Sequence, residues 1–143
     1  MKNKLNYKRG TSFMEALFII VIVGVVFAIT YPQFREMLYK SREARTKSAL
    51  GQLRGAIEIY YSDNFGLYPL DSGTPETRLV SDLTPKYLPQ IPFVDLVHYH
   101  STQLNTVENK ITGVGNWYYT TLNGEVTVNS IYLDTKQTPI SSW

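Results

Sequence analysis

The chain contains no cysteine among its 143 residues. Without cysteine it can form no disulfide, no thiolate zinc site and no iron–sulfur cluster, and it has no cysteine nucleophile. Any part of the chain that folds outside the cytoplasm must therefore be stable without covalent cross-links.

The sequence also lacks the short motifs that identify common catalytic and nucleotide-binding sites. It contains no Walker A loop, no G-x-S-x-G nucleophile elbow and no H-E-x-x-H zinc motif. Gly113 and Gly115 are not followed by the third glycine and the helix of a dinucleotide site. We therefore expect that the protein is not an enzyme.

Basic residues are scarce in the C-terminal part of the chain and concentrated in the first ten residues. Those ten residues contain four basic and no acidic side chains, so their removal changes the formal net charge from +2 to 2 − 4 = −2. From Asp63 onward four basic and eight acidic residues give 4 − 8 = −4. Nucleic-acid-binding domains normally carry a basic face, so we expect no specific nucleic-acid binding.

Residues 16–29 form an uninterrupted apolar run without any charged side chain. As a helix, residues 11–31 would span about 31 Å, close to the hydrocarbon thickness of a bilayer. A plain signal anchor is an alternative interpretation of this segment. The basic residues of segment 35–47 outnumber the four of the leader, so charge alone does not decide the orientation.

Helical periodicity continues through residues 32–62. Leu50, Leu53 and Ile57 recur at the spacing of one helix face, which predicts that a folded head packs on them. Asn64 and Gly66 supply a stop signal for the helix.

The remaining residues, 63–143, predict a looped connection followed by short strands. Five of the seven prolines lie in residues 69–92, which allow one short helix near residues 77–83. Strands are predicted in residues 95–101, 116–122 and 126–131 and in the C-terminal stretch, with Asn123 and Gly124 at a hairpin turn. The predicted fold class is α+β: a long N-terminal helix whose first half spans a membrane, with a small antiparallel sheet on its second half.

One constellation of residues in and around the apolar run carries functional information. An acid inside a membrane span costs about 2.5–3.5 kcal/mol on insertion scales, so Glu15 calls for a partner or a function. Gly10, Glu15, Gly24 and Pro32, with their spacing and the apolar residues between them, resemble the prepilin signature of the type IV pilin and type II secretion pseudopilin family. The tail is weakly similar to the major pseudopilin in residues 60–69, 87–89 and 115–126.

This resemblance implies how the chain is processed and assembled. A prepilin peptidase would cut after Gly10 and methylate Thr11, a position where the family usually has Phe or Met. Glu15 would contact the amine of a neighbouring subunit, and Gly24 and Pro32 would be assembly positions. The implied divisions are a cleaved leader (1–10), a membrane and filament-core helix (11–31), its amphipathic continuation (32–62) and the head (63–143).

The resemblance also implies partners and a location. The partners are membrane lipid, an inner-membrane assembly platform and further copies of the chain in a homo-oligomeric filament. The precursor would cross the inner membrane once with its C-terminal domain extracytoplasmic, and the filament would be periplasmic or at the cell surface. A pilus, a secretion pseudopilus and a DNA-uptake fibre remain open. The alternative function is a single-pass, membrane-anchored binding protein that does not polymerise.

Two weaker candidates concern metal ions. Some pseudopilins bind calcium in the C-terminal loop, where Asp134 and backbone oxygens could contribute ligands, but the spacing of a dense oxygen-ligand site is missing. His98 and His100 would share a face on a strand, although no third ligand lies at a recognisable spacing. We expect no metal or other cofactor, and we expect these histidines to be surface or packing residues.

Overall fold

The computed structural model describes residues 12–70, 73–98 and 105–143. Gly10, Thr11 and His100 therefore lie outside the described residues. The chain divides into two units at Glu36, the second being Met37–Trp143. The elements are, in order, α1 (Phe13–Asp63), α2 (Val80–Leu83), β1 (Val107–Glu108), β2 (Trp117–Tyr119), β3 (Val126–Val128) and a 3-10 helix (Ile140–Ser142). The predicted α+β class is confirmed.

Helix α1 runs through Pro32 and ends where the stop signal was predicted. After Asp63 the backbone enters the left-handed region at Phe65 and Gly66, with φ of 58° and 81°. The Gly66 N–H returns to the carbonyl oxygen of Tyr61 at 2.9 Å, which satisfies one of the last helical carbonyls. Asn64 is not itself left-handed; its side-chain amide donates to the carbonyl oxygen of Tyr60 at 2.8 Å.

The sheet has the order β1-β2-β3 and is mixed. β2 and β3 pair antiparallel, with Trp117 opposite Val128 and Tyr119 opposite Val126, as the hairpin signal predicted. β1 pairs with β2 in parallel, so the prediction of a wholly antiparallel sheet is wrong at this strand. β1 has only two residues, too few for an alternating pattern to be visible in the sequence.

The connection from β1 to β2 is held in place by a buried amide. The side-chain oxygen of Asn129, directly after β3, accepts hydrogen bonds from the N–H groups of Thr112 and Gly113 at 2.9 and 2.8 Å. Its amide nitrogen donates to the side-chain oxygen of Asn116 at 3.0 Å. These bonds hold the loop that joins the parallel strands β1 and β2 beside the end of β3.

The strand predicted for residues 95–101 is wrong over its described part, residues 95–98, which are irregular and end in a turn. The backbone of Asp95 bonds to helix α1 instead of to a strand. Both its N–H and its carbonyl oxygen are paired with the hydroxyl of Thr46, at 3.0 and 2.8 Å. The C-terminal stretch was also predicted to form a strand. It instead contains an isolated bridge between Leu133 and Pro139, followed by the 3-10 helix.

The β2–β3 turn requires a glycine for two reasons. Gly124 has φ of 69°, a conformation that other residues rarely adopt. A Cβ atom at this position would also overlap the ring of Tyr68. The hairpin therefore packs directly on the segment that follows helix α1.

The core lies between α1, the proline-rich connection and one face of the sheet. Trp117 and Tyr119 are fully buried, as alternation along β2 requires. The indole N–H of Trp117 donates to the carbonyl oxygen of Pro92 at 2.7 Å, and the hydroxyl of Tyr119 donates to that of Pro69 at 2.8 Å. Two large side chains thus bury their rings and also tie the connection to the sheet.

Candidate assembly site

The apolar part of helix α1 is exposed along its length. Every residue from 12 to 38 is exposed, and within residues 12–34 Glu15 carries the only charge. In the part of the chain that the structure describes, α1 is the one helix long and apolar enough to cross a membrane by length and composition. An apolar surface of this extent is normally covered by lipid or by another protein.

The three predicted assembly residues that are described all lie in α1. Glu15 is in the first turn, where the partial positive charge of the helix N-terminus favours a carboxylate. A Cβ atom at Gly24 would meet nothing within 4 Å, so the glycine leaves room for a close neighbour. Pro32 lies inside the helix and lacks the N–H of an internal hydrogen bond.

The predicted packing residues Leu50, Leu53 and Ile57 are only 2%, 0% and 1% exposed and belong to the core. The buried face is wider than the sequence pattern indicated, because it also includes Thr46 and two alanines. Small and polar residues carry little hydrophobic signal. Only their position on the same face could have identified them.

Two carboxylates attach the C-terminal segment to helix α1, and the sequence pattern predicted neither role. Glu43 on α1 accepts hydrogen bonds from the N–H and the hydroxyl of Thr135, at 2.8 and 2.7 Å. Asp134 has a 1% exposed side chain and lies 3.5 Å from the ammonium group of Lys47. Both contacts join residues about ninety positions apart, which no local pattern can indicate.

Asp134 is surrounded by hydrogen-bond donors. One carboxylate oxygen accepts the N–H groups of Lys136 and Thr138 at 2.8 and 2.9 Å, and the other accepts the indole N–H of Trp143 at 3.2 Å. Burial alone would raise the pKa of Asp134, but these hydrogen bonds, led by those from Thr138, hold the pKa well below its ordinary value of 3.8. A cation at this position would have to displace donors that already occupy both oxygens.

Of the residues proposed as metal ligands, the structure describes His98 and Asp134, and both have other partners. The His98 ring stacks on Tyr132 with the ring centroids 4.5 Å apart. Among residues 12–70, 73–98 and 105–143, no group of three or more histidine, aspartate or glutamate side chains is placed to hold a metal ion.

We expect Asp134→Asn to lower the free energy of unfolding by about 2 kcal/mol at pH 7, because hydrogen bonds to a charged acceptor contribute about 1.5–3 kcal/mol. The pKa of Asp134 is lowered by folding, so its stabilisation is fully present above pH 3.8 and is lost as the pH falls below that value. Urea unfolding of the full chain in detergent, followed by tryptophan fluorescence, measures the difference between variant and wild type at several pH values.

Glu125→Gln serves as the control, because this exposed carboxylate bonds only locally, to Asn123. It should change the stability by less than about 0.5 kcal/mol. A gap between Asp134→Asn and wild type that stays constant from pH 7 down to acid pH would contradict the assigned role of the carboxylate.

An exposed apolar helix with a single acidic residue, joined to a small α+β head, is expected of membrane-anchored or filament-forming proteins. The fimbrial protein EcpC of Eikenella corrodens is 29% identical to the chain over 65 residues, 46% of this chain and 42% of that protein. The type IV major fimbrial protein FimA of Dichelobacter nodosus is 33% identical over 56 residues, 39% of this chain and 36% of that protein. No family model and no solved structure matches the chain.

The similarity supports the type IV pilin family, the family whose signature the residues around Glu15 resemble. The relatives are named as fimbrial proteins, which agrees with the expectation that this protein is not an enzyme. The chain spans about two fifths of the length of the curated relatives that it matches.

Proposed function

We propose that the chain is the structural subunit of a type IV pilus-like filament, inserted into a membrane as a precursor and assembled through its N-terminal helix. The observation that carries this proposal is the exposed apolar part of α1, which continues into a helix face that a folded head covers. The second half of α1 is covered by the head of the same chain, whereas the exposed apolar part requires lipid or another subunit to cover it.

Lipid and neighbouring subunits can cover the apolar segment in turn. In the bilayer the side chains are solvated by lipid, and in a filament copies of the helix pack on one another. Both environments satisfy the same apolar surface, so a subunit can move from one to the other without unfolding. The relatives named as fimbrial proteins support the filament as the final state.

Glu15 supplies specificity to this packing. In a bundle of apolar helices an unpaired carboxylate is costly, whereas a carboxylate paired with an ammonium group recovers much of that cost. The proposed partner is the amine of Thr11 of a neighbouring subunit, which cleavage after Gly10 would create. One such pair per subunit would select one axial step between neighbouring helices.

The finer parts of the proposal concern the cellular setting. We propose insertion in the inner membrane with the head outside the cytoplasm, processing by a prepilin peptidase and extraction by an assembly platform. A surface pilus is favoured over a secretion pseudopilus, because the similar proteins are fimbrial.

Intact mass spectrometry of protein extracted from membranes tests the processing step. We expect the mature chain to begin at Thr11, because the resemblance to the prepilin signature puts the cut after Gly10. Gly10→Val should retain residues 1–10, since it adds a branched side chain directly before the scissile bond. Lys8→Gln is the matched control, which alters the leader without adding bulk at the cut, and it should still be processed.

A wild-type product that keeps residues 1–10 in cells with an active prepilin peptidase would contradict the proposed precursor. That result would favour the alternative function, a membrane-anchored binding protein that does not polymerise. Sheared surface fractions that contain filaments of the processed chain would favour the pilus.

A further inference from the structure

A groove of about 540 Å³ lies next to Tyr39 of helix α1, within the unit Met37–Trp143. Its walls include Tyr39, Leu96, Tyr132, Leu133 and Ile140. Tyr132 and Leu133 are 40% and 46% exposed, so the apolar walls can be reached from outside. The groove therefore offers a mainly apolar surface with aromatic sides.

Two apolar side chains project from the other end of the head. Phe65, in the turn after α1, is fully exposed at 100%, and Leu122, in the hairpin turn, is exposed at 93%. Leu122 lies against the same shallow surface as Tyr61 and Gly66, so the two turns are neighbours. Turns usually carry polar residues, and a large apolar residue in each of two adjacent turns is unusual. We call this pair the apolar tip.

The groove and the apolar tip are far apart on one head. Tyr39 lines the groove and Tyr61 lies beside the tip, and the two residues are 22 positions apart in helix α1, or about 33 Å. A tip cannot reach the groove of its own head. Contact between the tip of one copy and the groove of another is heterologous, and such contacts produce open helical filaments when the rotation does not close.

Charge at the two ends of the head is complementary. The helix segment 39–47 and the segments that contact it carry five basic residues against three acidic ones, which gives 5 − 3 = +2: Lys40, Arg42, Arg45, Lys47 and Lys136 against Glu43, Asp95 and Asp134. Around the tip four acidic residues outnumber two basic ones, which gives 2 − 4 = −2: Glu58, Asp63, Asp82 and Glu125 against Lys86 and Arg54.

We propose that the apolar tip of one subunit, Phe65 and Leu122, docks into the groove lined by Tyr39, Tyr132 and Leu133 of a second copy of this chain. This interface rests on the proposed filament function. It adds a contact between the heads of two subunits to the packing of the N-terminal helices. The occupant is a second copy because the apolar character and the sign of charge that complement the groove are both present at the opposite end of the same head.

The absence of native cysteine allows a direct test on filaments of the full chain. Leu122→Cys combined with Leu133→Cys places one thiol at the tip and one in the groove. A disulfide requires Cα atoms about 4.4–6.8 Å apart, so the pair cannot close within one head and can join only different copies. After oxidation of sheared filaments, we expect a ladder of covalent multimers of the subunit on a non-reducing gel.

Matched variants define the background. Each single cysteine variant can form a dimer at most, because it carries one thiol per subunit. Leu122→Cys with Ile111→Cys pairs the tip with an apolar position that lines neither the tip nor the groove and is more accessible than Leu133, since Ile111 is 70% exposed and Leu133 46%. This pair should give no ladder.

Filament yield provides a second measurement. Leu122→Ser removes the apolar tip from an exposed turn and should reduce the yield of sheared filaments by about tenfold or more, the effect of weakening each contact by about 1.4 kcal/mol. Ile111→Ser removes a similarly exposed apolar side chain and should leave the yield unchanged. Both changes lie outside the core, so the heads should remain folded.

The outcomes separate this interface from the proposed function. Normal wild-type filaments without a ladder, together with a normal yield of Leu122→Ser, would overturn the interface and leave the filament function standing. Cross-linked species whose masses are not multiples of the subunit would show that another protein occupies the groove, and would also overturn the interface. Failure of the processed wild-type chain to form filaments in its own host would overturn both.

Discussion

Replacing Glu15 by alanine is expected to leave membrane insertion and cleavage intact and to abolish filament assembly. Removal of a carboxylate from a membrane span makes insertion more favourable by about 2.5–3.5 kcal/mol, so a role in membrane targeting predicts normal or improved function. A pairing role predicts the opposite result. Loss of one partner leaves the other charge buried alone, at a cost of about 3–5 kcal/mol for each contact.

Sheared-filament yield and the mass of the processed chain measure the two consequences separately. Glu15→Gln keeps the size of the side chain and removes only its charge, so it should fail nearly as completely as Glu15→Ala. Met14→Leu is the matched control, because it changes the adjacent exposed apolar residue and adds no charge. Normal filament yield in both Glu15 variants would exclude the pairing mechanism.

The second large effect is expected in the head, where Leu53→Asp should prevent folding. Leu53 is 0% exposed and belongs to the core that joins α1 to the sheet. Truncation of a buried leucine to alanine already costs about 2–5 kcal/mol, and aspartate adds an unpaired buried charge. Domains are typically stable by only about 5–15 kcal/mol, so the combined cost consumes most or all of that stability.

Gln52→Asp is the matched control, since it introduces the same side chain one position away on the exposed face of the helix. Thermal unfolding of the full chain in detergent, followed by tryptophan fluorescence, should show a cooperative transition for wild type and Gln52→Asp. Leu53→Asp should show none. A transition unchanged by Leu53→Asp would mean that the sheet does not pack on this helix face.

The helix end and the hairpin were predictable because each is specified by adjacent residues. Asn64, Phe65 and Gly66 stop α1 within three positions, and Asn123 with Gly124 turns β2 into β3. In both places the left-handed backbone is supplied by a glycine or its neighbour. Local sequence is sufficient where the chain bonds to itself within a few residues.

The course of the chain between α2 and β2 was less predictable, because distant partners determine it. Residues 95–98 looked strand-like, yet the hydroxyl of Thr46 takes both backbone groups of Asp95. Arg78, for which the sequence pattern predicted no role, is 7% exposed and donates to the carbonyl oxygen of Val107 at 2.8 Å. These bonds join residues 29 or more positions apart, so no local pattern indicates them.

By itself, the sequence determined the apolar segment, its acidic residue, the exit from the helix, the hairpin and the resemblance to pilins. These features depend on composition and on short spacings, which can be recognised without knowledge of the fold. Only the tertiary structure decided that β1 is parallel to β2, that Asp134 and Glu43 hold the C-terminal segment, and that an apolar tip and an apolar groove lie at opposite ends of the head. Those features join residues far apart in the chain, and such contacts leave no periodic trace in the sequence.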